Sequence, residues 1–584
     1  MTAPERRGSG ASPGIAIGPA YVLRRERLVI PEYRIEPERV EAEIQRLEAA
    51  FAEARRDLDG IRRQMQSTGL VGDVFDAQFL FLEDPTLLES GRSQIRDSRV
   101  NAEWALQREG QQLEAMFRAV SDPYIRERSS DVRFILRRVL RALLGREPEG
   151  LGNAPEGVIV VAEDLSPAEM VQVSHGRIAA VVTASGSQTS HVMIIARSLQ
   201  LPAVVGAGSG LVAAVTDGCR LIVDGRLGRV LIDPDDSLVA SYEQKQSELE
   251  TYKSGLLRYA KLPAETHDGV EVGLMANVDL IEEIPVALRH GAEGIGLYRT
   301  EFLFLNRSSL PSEDEQEAAY REILEAVAPR PAVIRTLDLG GDKAPGVMDL
   351  QPEANPALGL RGVRLSLKRP EFFRTQLRAM LRASHHGRLR ILLPMISQLG
   401  ELEFAREQVE KAAEEVGLSG LGEVELGVMI ETPAAALIAD LITPRVDFLS
   451  IGTNDLLQYS LAVDRGNPQV SYLYEPLHPS HLRLIEQVSR AARTAGIRLG
   501  MCGEMAGDPA HAWILLALGV GELSMTAFAI PLLKKILRDS TLAEARELLT
   551  EVRRCGTAAE SRARVEAVMA RRFPAEFDHI AAGP

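Results

Sequence analysis

The spacing of apolar and polar residues changes several times along the chain. Residues 1 to about 25 contain the strand-like run GIAIGPAYVL, with a strand near Ile15. From Pro37 to about Gly145, apolar residues recur at helical spacing among charges, which predicts a domain of about four helices. Strand-like runs then return at 157–167, 177–185, 201–209, 219–225 and 229–235. We therefore expect a compact α/β unit that begins with the first strand and contains a helical insertion.

The rest of the chain has one repeated pattern. Residues 237–261 are charged and lack glycine or proline until Gly255, which predicts a connecting helix. From about Leu262 onward, strand and helix patterns alternate eight times over about 300 residues. This alternation predicts a (β/α)8 barrel of the TIM type, and so a multidomain α/β protein. The predicted barrel strands are 271–278, 294–300, 332–340, 390–396, 425–431, 447–455, 498–504 and 522–525.

Composition and charge narrow the class of protein. A chain of 584 residues is too long for one hydrophobic core, so about three or four domains are expected. The net charge of −15 argues against a general binder of nucleic acid or anionic membranes, although it allows a basic protein partner. The three cysteines form no CxxC pair, and neither a secretory signal nor a run of ~18 apolar residues is visible. We expect a cytoplasmic protein.

A histidine stands at the start of one apolar run. In SGSQTSHVMIIAR, His191 follows Thr189 and Ser190, which are residues typical of a helix start. The free N–H groups of a first helical turn favour a neutral ring, which can act as a nucleophile, and would stabilise a phosphoryl group attached to it. The alternative is an ordinary surface histidine beside a helix cap.

Unusual residues follow the predicted barrel strands at the ends where active sites of such barrels lie. Arginines suit a phosphate or carboxylate, and two carboxylates together with substrate oxygens suit Mg²⁺. Each residue alone has an ordinary interpretation, such as a surface ion pair, a turn or a buried small side chain. Their common position at strand ends favours a site for a phosphorylated small acid with a divalent ion. These residues are Arg299, Arg335, the run 338–343, Glu431, Asn454, Asp455, and Cys502 to Glu504.

Long motifs of the chain are similar to those of a known family. GSQTSHVMIIARSLQLPAVVG, GIGLYRTEFLF, VIRTLDLGGDK, NPALGLRGVR, GVMIETPAA, FLSIGTNDLLQYSLAVDRGN and GMCGEMAG resemble Enzyme I of the bacterial phosphoenolpyruvate:sugar phosphotransferase system. The resemblance runs from about Gly8 to Phe573, with the motifs in the family's order. One departure is Gly186-Ser187, where the family usually has two glycines. If the second position needs a positive φ, serine is strained there.

The resemblance implies an activity and a role for each matching residue. His191 would accept the phosphoryl group of phosphoenolpyruvate and pass it to the phosphocarrier protein HPr, with release of pyruvate. Cys502 would protonate the enolate, and Glu431 and Asp455 would bind Mg²⁺. The substrate would be held by Arg299, Arg335, Asn454 and Arg465, with Lys343 and Arg361 nearby.

The resemblance also implies a domain organisation. Residues 1–25 and 146–233 would form a swivelling phosphohistidine α/β domain, and 34–145 an inserted helical HPr-docking domain. Residues 234–261 would be a linker helix, and 262–573 the phosphoenolpyruvate-binding barrel. The docking surface is placed around Phe75 to Asp84, where apolar residues could equally belong to a core. Family members are homodimers through the barrel.

Four alternatives are weaker. A dikinase or synthase that uses phosphoenolpyruvate would need an ATP-binding domain, whereas the ~110-residue insertion has no glycine-rich phosphate loop. A lyase or aldolase barrel would leave His191 without a role. A sensor without turnover would not need the set of histidine, cysteine and carboxylates. The nitrogen-regulatory form of Enzyme I has an extra N-terminal sensory domain, whereas the match here begins near Gly8.

Overall fold

The structure is a computed structural model, and it describes the chain with gaps. The described residues are 4–12, 14–25, 28–66, 85–119, 123–146, 151, 154–166, 169–170, 177–186, 196, 201–304, 309–340, 353, 355–464, 467 and 470–578. They form two compact units, with the division between Thr251 and Tyr252. The helix Asp236–Leu256 spans this division and covers most of the segment in which a connecting helix is predicted.

An eight-stranded mixed sheet lies at the centre of the first unit, in the order β1-β8-β7-β3-β4-β5-β6-β2. Neighbours from β3 to β6 are parallel, and the remaining pairs are antiparallel. All six predicted runs form strands, whereas β1 and β2 were not predicted. The strands are β1 Glu5–Arg7, β2 Ser9–Ser12, β3 Ile15–Leu23, β4 Val158–Ala162, β5 Ile178–Thr183, β6 Ala203–Val205, β7 Arg220–Asp224 and β8 Arg229–Ile232.

The sheet is covered on both faces. Val158 and Val160 of β4 belong to one hydrophobic cluster, and Ile159 and Val161 belong to another on the opposite face. Such nearly continuous apolar runs are expected for parallel strands that are buried on both sides.

Helices follow β3, which is the first strand that the sequence predicts. In the described part of the unit they are Val40–Gln66, Pro85–Ser98, Ala102–Ala119 and Pro123–Leu143, and a short helix Leu211–Ala214 lies later in the chain. Leu47, Ile95, Leu106 and Val139 come from the four long helices and are buried in one cluster. The helical spacing of the apolar residues therefore places them in a shared core.

The second unit is a closed barrel of eight parallel strands. Each strand pairs with the next, and the last pairs with the first through Met525 and Ala276. The predicted (β/α)8 barrel is thus confirmed, with every predicted strand present. The strands are β9 Gly273–Val278, β10 Ile295–Arg299, β11 Pro331–Arg335, β12 Arg388–Leu393, β13 Glu425–Ile430, β14 Phe448–Ile451, β15 Arg498–Met501 and β16 Glu522–Met525.

Helices alternate with these strands and pack on them. Leu324, Leu377 and Ile485 from three helices share one continuous core with strand residues such as Ile391. No helix in the described part of the chain has both the length and the apolar character that crossing a membrane requires. The helices of the second unit are Ile284–Arg289, Glu313–Val327, Val363–Lys368, Pro370–Ala383, Leu399–Glu415, Pro433–Leu437, Ala439–Ile442, Thr453–Leu461, Pro479–Ala495, Ala512–Leu518, Ile530–Arg538, Leu542–Val552, Ala558–Arg572 and Pro574–Asp578.

Candidate active site at the barrel mouth

Three carboxylates meet at the C-terminal ends of the barrel strands. Asp338 lies shortly after β11, Glu431 directly after β13, and Asp455 in the first turn of the helix that follows β14. One oxygen of each lies within 4.8 Å of an oxygen of the others. Carboxylate oxygens at this spacing form a suitable set for a hard divalent cation. The barrel fold therefore brings together residues that are spread over more than one hundred positions of the sequence.

Two arginines bind the carboxylate of Asp338. Arg335 Nη1 lies 3.0 Å from Oδ2, while Arg361 donates from Nε to Oδ1 at 3.0 Å and from Nη2 to Oδ2 at 2.8 Å. Arg335 also donates to Glu301 at 3.0 Å, and Arg361 to Asp455 at 3.4 Å and to the Tyr459 hydroxyl at 3.1 Å. Although burial opposes the charge of Arg335, the carboxylates around it outweigh this effect and raise its pKa. Both guanidinium groups are thus charged and fixed in direction.

A third arginine is held more loosely. Arg299 is the last residue of β10 and is in register with Arg335 of β11. Its Nη1 lies 2.9 and 3.0 Å from the two carboxylate oxygens of Asp279. The two side chains are 38% and 33% exposed, so solvent screens this pair far more than the pairs of Asp338.

The pKa of Glu431 is strongly perturbed. Its residue is 1% exposed, and the Met395 N–H donates to Oε1 at 2.6 Å. Burial, and then the carboxylates of Asp338 and Asp455, raise its pKa from the ordinary 4.5 to about 8. Ionised Glu431 therefore needs a positive charge beside it, which a bound cation would supply.

Cys502 forms part of an apolar floor below the charged groups. It directly follows β15, is 4% exposed, and packs in a cluster with Leu297, Val333, Leu392, Met429 and Phe448. Burial raises the pKa of the thiol, although a hydrogen bond from Ser450 opposes this shift. The sulfur is consequently held as the neutral thiol, the form that can donate a proton.

Three families of phosphoenolpyruvate-using enzymes match successive parts of the chain. The family described as PEP-utilising enzyme, N-terminal, matches residues 7–128. The family described as PEP-utilising enzyme, mobile domain, matches residues 154–228. The family described as PEP-utilising enzyme, PEP-binding domain, matches residues 253–542 and so includes the site described above.

Proteins that are similar over nearly the whole chain carry one name, phosphoenolpyruvate-protein phosphotransferase. The protein from Geobacillus stearothermophilus is 44% identical over 558 residues, which are 95% of this chain and 96% of that protein. The protein from Bacillus sp. (strain S) is 43% identical with the same coverage. The protein from Haemophilus influenzae is 41% identical over 555 residues, 94% of this chain and 96% of that protein. The chain belongs to the phosphoenolpyruvate-protein phosphotransferase family.

Membership in the phosphoenolpyruvate-protein phosphotransferase family confirms the predicted resemblance, enzyme class and use of phosphoenolpyruvate. The barrel mouth contains most of the site residues that the sequence predicts in this part of the chain. Arg299, Arg335, Glu431, Asn454, Asp455 and Cys502 all lie at or just after strand ends. Arg361 lies just before the helix Val363–Lys368 and joins the site through its bonds to Asp338. Their predicted roles stay predictions.

Other predicted residues lie outside the described residues. They are His191, Lys343, Arg465, Ser187 and the docking segment Phe75 to Asp84. Gly186, directly before Ser187, is described and has a φ of +116°. This backbone conformation is one that glycine adopts readily and other residues rarely do.

Asn454 and Thr453 shape the part of the mouth beside Cys502. Asn454 Oδ1 accepts the Glu504 N–H at 3.0 Å, which ties the loop after β14 to the loop after β15. A Cβ at Gly503 would lie 1.8 Å from Thr453 Oγ1, so the close approach of the two loops requires glycine at that position.

Sequence reasoning missed several residues of the mouth. Asp338 belongs to the run 338–343 but has no predicted role of its own, and the predicted site does not include Glu301, Asp279 or Tyr459. Asp338 could have been found, because it is the first acidic residue after a strand that ends in a candidate arginine. The other three are recognised only through their contacts with Arg335, Arg299 and Arg361.

Buried polar atoms in the mouth are consistent with an additional ligand. Among the described residues, Glu301 Oε2, Arg335 Nε and Thr453 Oγ1 are buried without a hydrogen-bond partner. Such groups are costly unless something else satisfies them. Together with the raised pKa of Glu431, these atoms fit a site that is completed by a cation and an oxygen-rich anion.

Proposed function

We propose that this chain transfers the phosphoryl group of phosphoenolpyruvate to His191 and then to a histidine of the phosphocarrier protein HPr. Pyruvate would be released, and the reaction would be the first step of the sugar phosphotransferase system. The observation that carries this proposal is the barrel mouth, where three carboxylates and fixed arginines lie above a buried thiol. Phosphoryl transfer from an enol phosphate needs charge neutralisation, positioning and a proton donor, and this mouth offers all three.

The arginines would bind the two anionic groups of phosphoenolpyruvate. Arg335 and Arg361 are already oriented by Asp338, so they can receive the substrate with little loss of side-chain freedom. Arg299 can leave its screened pair with Asp279 at small cost and turn toward the substrate. Asn454 lies beside Asp455, and Arg465 and Lys343 are assigned to the substrate by resemblance alone.

Glu431 and Asp455 are the proposed ligands of Mg²⁺. Asp338 completes the cluster, but its two oxygens already accept three bonds from guanidinium groups. It is therefore better suited to orienting the arginines than to binding the ion. When bound, Mg²⁺ would neutralise charge on the phosphate and enolate oxygens.

Cys502 would protonate the methylene carbon of the enolate. The S–H bond breaks, a C–H bond forms at carbon 3, and the enolate becomes the ketone of pyruvate. The raised pKa of the thiol keeps this proton available at neutral pH.

Several further parts of the proposal come from the resemblance. The α/β unit of residues 1–25 and 146–233 would swivel to carry His191 between the barrel mouth and HPr. The helical segment 34–145 would dock HPr, near Phe75 to Asp84, and 234–261 would link this part to the barrel of residues 262–573. We also propose a homodimer through the barrel, in the cytoplasm.

Intact-protein mass spectrometry after mixing with phosphoenolpyruvate and Mg²⁺ tests the first half-reaction. We expect the mass of one acid-labile phosphoryl group on the wild type and none on His191→Ala. Addition of HPr should then remove the group from the enzyme and place it on HPr. A folded wild type that gains no mass would contradict the proposed function and favour a sensor or a lyase.

A further inference from the structure

The side chain of Ser450 makes direct contact with the sulfur of Cys502. Ser450 belongs to β14, and its hydroxyl donates to Sγ at 3.4 Å. The two residues are 5% and 4% exposed. The other hydrogen bond of the sulfur joins it to the Ile451 carbonyl at 3.8 Å. In the described part of the chain, Ser450 thus supplies the hydrogen bond that the sulfur accepts.

We infer that Ser450 is a positioning residue for the proton transfer, which aims the Cys502 thiol and stabilises the thiolate that forms when its proton leaves. This inference rests on the proposed function. Ser450 acts on the reaction through the sulfur of Cys502 and does not contact phosphoenolpyruvate.

A hydrogen-bond donor to the sulfur is needed because Cys502 lies in the apolar floor of the mouth. When the S–H bond breaks and carbon 3 of the enolate gains the proton, the electron pair of that bond stays on sulfur. The resulting thiolate lies among Leu297, Val333, Leu392 and Phe448, none of which can hydrogen-bond to it. A buried anion without a donor is strongly disfavoured, and hydrogen bonds to charged groups are stronger than those to neutral ones. The thiolate later regains a proton from water.

The backbone of Cys502 is held separately from its sulfur. Asn277 of β9 donates from Nδ2 to the Cys502 carbonyl at 3.0 Å, and Ser524 of β16 donates to Asn277 Oδ1 at 2.6 Å. These two contacts fix where the loop lies. The Ser450 hydroxyl can therefore be removed without releasing the backbone of Cys502, which makes its effect on the sulfur measurable.

The test compares Ser450→Ala with Ser489→Ala in steady-state turnover of phosphoenolpyruvate with Mg²⁺ and HPr. Ser489 is a matched control, because it is 2% exposed and its hydroxyl bonds only to the Leu518 carbonyl among the contacts described. We expect kcat of Ser450→Ala to fall by about tenfold to a hundredfold, the effect of one hydrogen bond to a charged group, with KM unchanged. Ser450→Thr, which keeps the hydroxyl, should recover much of kcat.

A double-mutant cycle separates an effect through the sulfur from a general disturbance. In a Cys502→Ala background, Ser450→Ala should cause no further loss, because the group that it acts on is gone. A further loss of similar size there would overturn the inference, and so would a kcat equal to that of Ser489→Ala. If the wild type takes no phosphoryl group from phosphoenolpyruvate, the proposed function fails first and the role of Ser450 fails with it.

Discussion

Replacement of Asp338 by asparagine tests whether burial makes the ion pairs of this carboxylate stabilise the barrel. The carboxylate accepts one guanidinium N–H on Oδ1 and two on Oδ2, and its side chain is 1% exposed. An amide of the same shape can keep its oxygen at no more than two of the three donors. Its NH2 group must then face a guanidinium N–H, and buried Arg335 and partly buried Arg361 lose a shared counter-charge.

The expected cost follows from these contacts. One lost charge-assisted hydrogen bond costs ~1.5–3 kcal/mol, and breaking a buried ion pair by removing one partner costs ~3–5 kcal/mol. Relief of the repulsion between Asp338 and Glu431 offsets part of the loss. We therefore expect Asp338→Asn to lower the free energy of unfolding of the barrel by ~3 kcal/mol.

The matched control is Asp279→Asn. Asp279 also accepts two bonds from an arginine of the mouth, but 33% of its side chain is exposed. An ion pair at such a position contributes ~0–1 kcal/mol. The two variants thus remove the same chemical group from an arginine-bound carboxylate. They differ in burial and in the number of arginines bound, two for Asp338 and one for Asp279.

Urea unfolding followed by tryptophan fluorescence measures both variants. The chain has two tryptophans, of which Trp104 lies in the helical part and Trp513 is buried in the barrel. A Trp104→Phe background therefore reports barrel unfolding alone, and a chelator excludes stabilisation by bound Mg²⁺. Equal losses in the two variants, or a loss below 1 kcal/mol for Asp338→Asn, would refute the argument from burial.

Three further changes test the charges and buried groups of the barrel. Because the pKa of Glu431 is raised, the folded barrel keeps a proton between pH 4.5 and 8 that the unfolded chain releases. With a chelator present, the free energy of unfolding should therefore fall as the pH rises through this range, and it should fall less steeply in Glu431→Gln. Urea unfolding that gives the wild type and Glu431→Gln equal slopes of unfolding free energy against pH would contradict this. Arg361→Lys should raise KM for phosphoenolpyruvate by about tenfold, the effect of losing one charge-assisted hydrogen bond. Arg364→Lys should not, because within the described residues the Arg364 side chain donates to two backbone carbonyls. Equal KM values would refute the assignment. His481 is buried with no hydrogen-bond partner among the described residues, and burial lowers its pKa to about 3. His481→Leu should therefore stabilise the barrel by ~1–3 kcal/mol and reduce its loss of stability below pH 6.5, and a less stable variant would contradict this.

The strands of the barrel could be predicted because each is a short apolar run between polar segments. The predictions were less accurate at strand ends, for a physical reason. The predicted strand 447–455 extends over polar residues as far as Asp455, but β14 ends with the last apolar residue, Ile451, and Asn454 already lies in a helix. Polar residues after a strand do not show where a loop ends and the next helix begins. In the first unit, Glu5–Arg7 and Ser9–Ser12 contain almost no apolar residues. They are strands because their backbones pair with β8 and β6, which sequence pattern alone does not reveal.

The candidate site could be predicted to the extent that its residues stand at strand ends. Arg335, Glu431 and Cys502 occupy positions that any parallel barrel would turn toward its mouth. The partners of these residues could not be predicted in this way. Glu301 and Ser450 are ordinary residues of a short 3-10 helix and a strand, and only the three-dimensional contacts with Arg335 and Cys502 show what they do.

The arrangement of charges divides the mouth into a fixed part and an exchangeable part. Arg335 is buried, the Arg361 side chain is 17% exposed, and the two share the carboxylate of Asp338, so their direction is set before any ligand arrives. Preorganised charge of this kind requires little rearrangement during reaction. Arg299 is paired in solvent with Asp279 and can exchange that partner for a substrate group at a cost of ~0–1 kcal/mol. Because Glu431 is buried with its pKa raised, a cation that binds beside it would displace a proton, so ion binding and the charge state of the mouth are linked. The fixed arginines would therefore set the geometry of phosphoryl transfer, while Arg299 and Glu431 would respond to the arrival of substrate and ion.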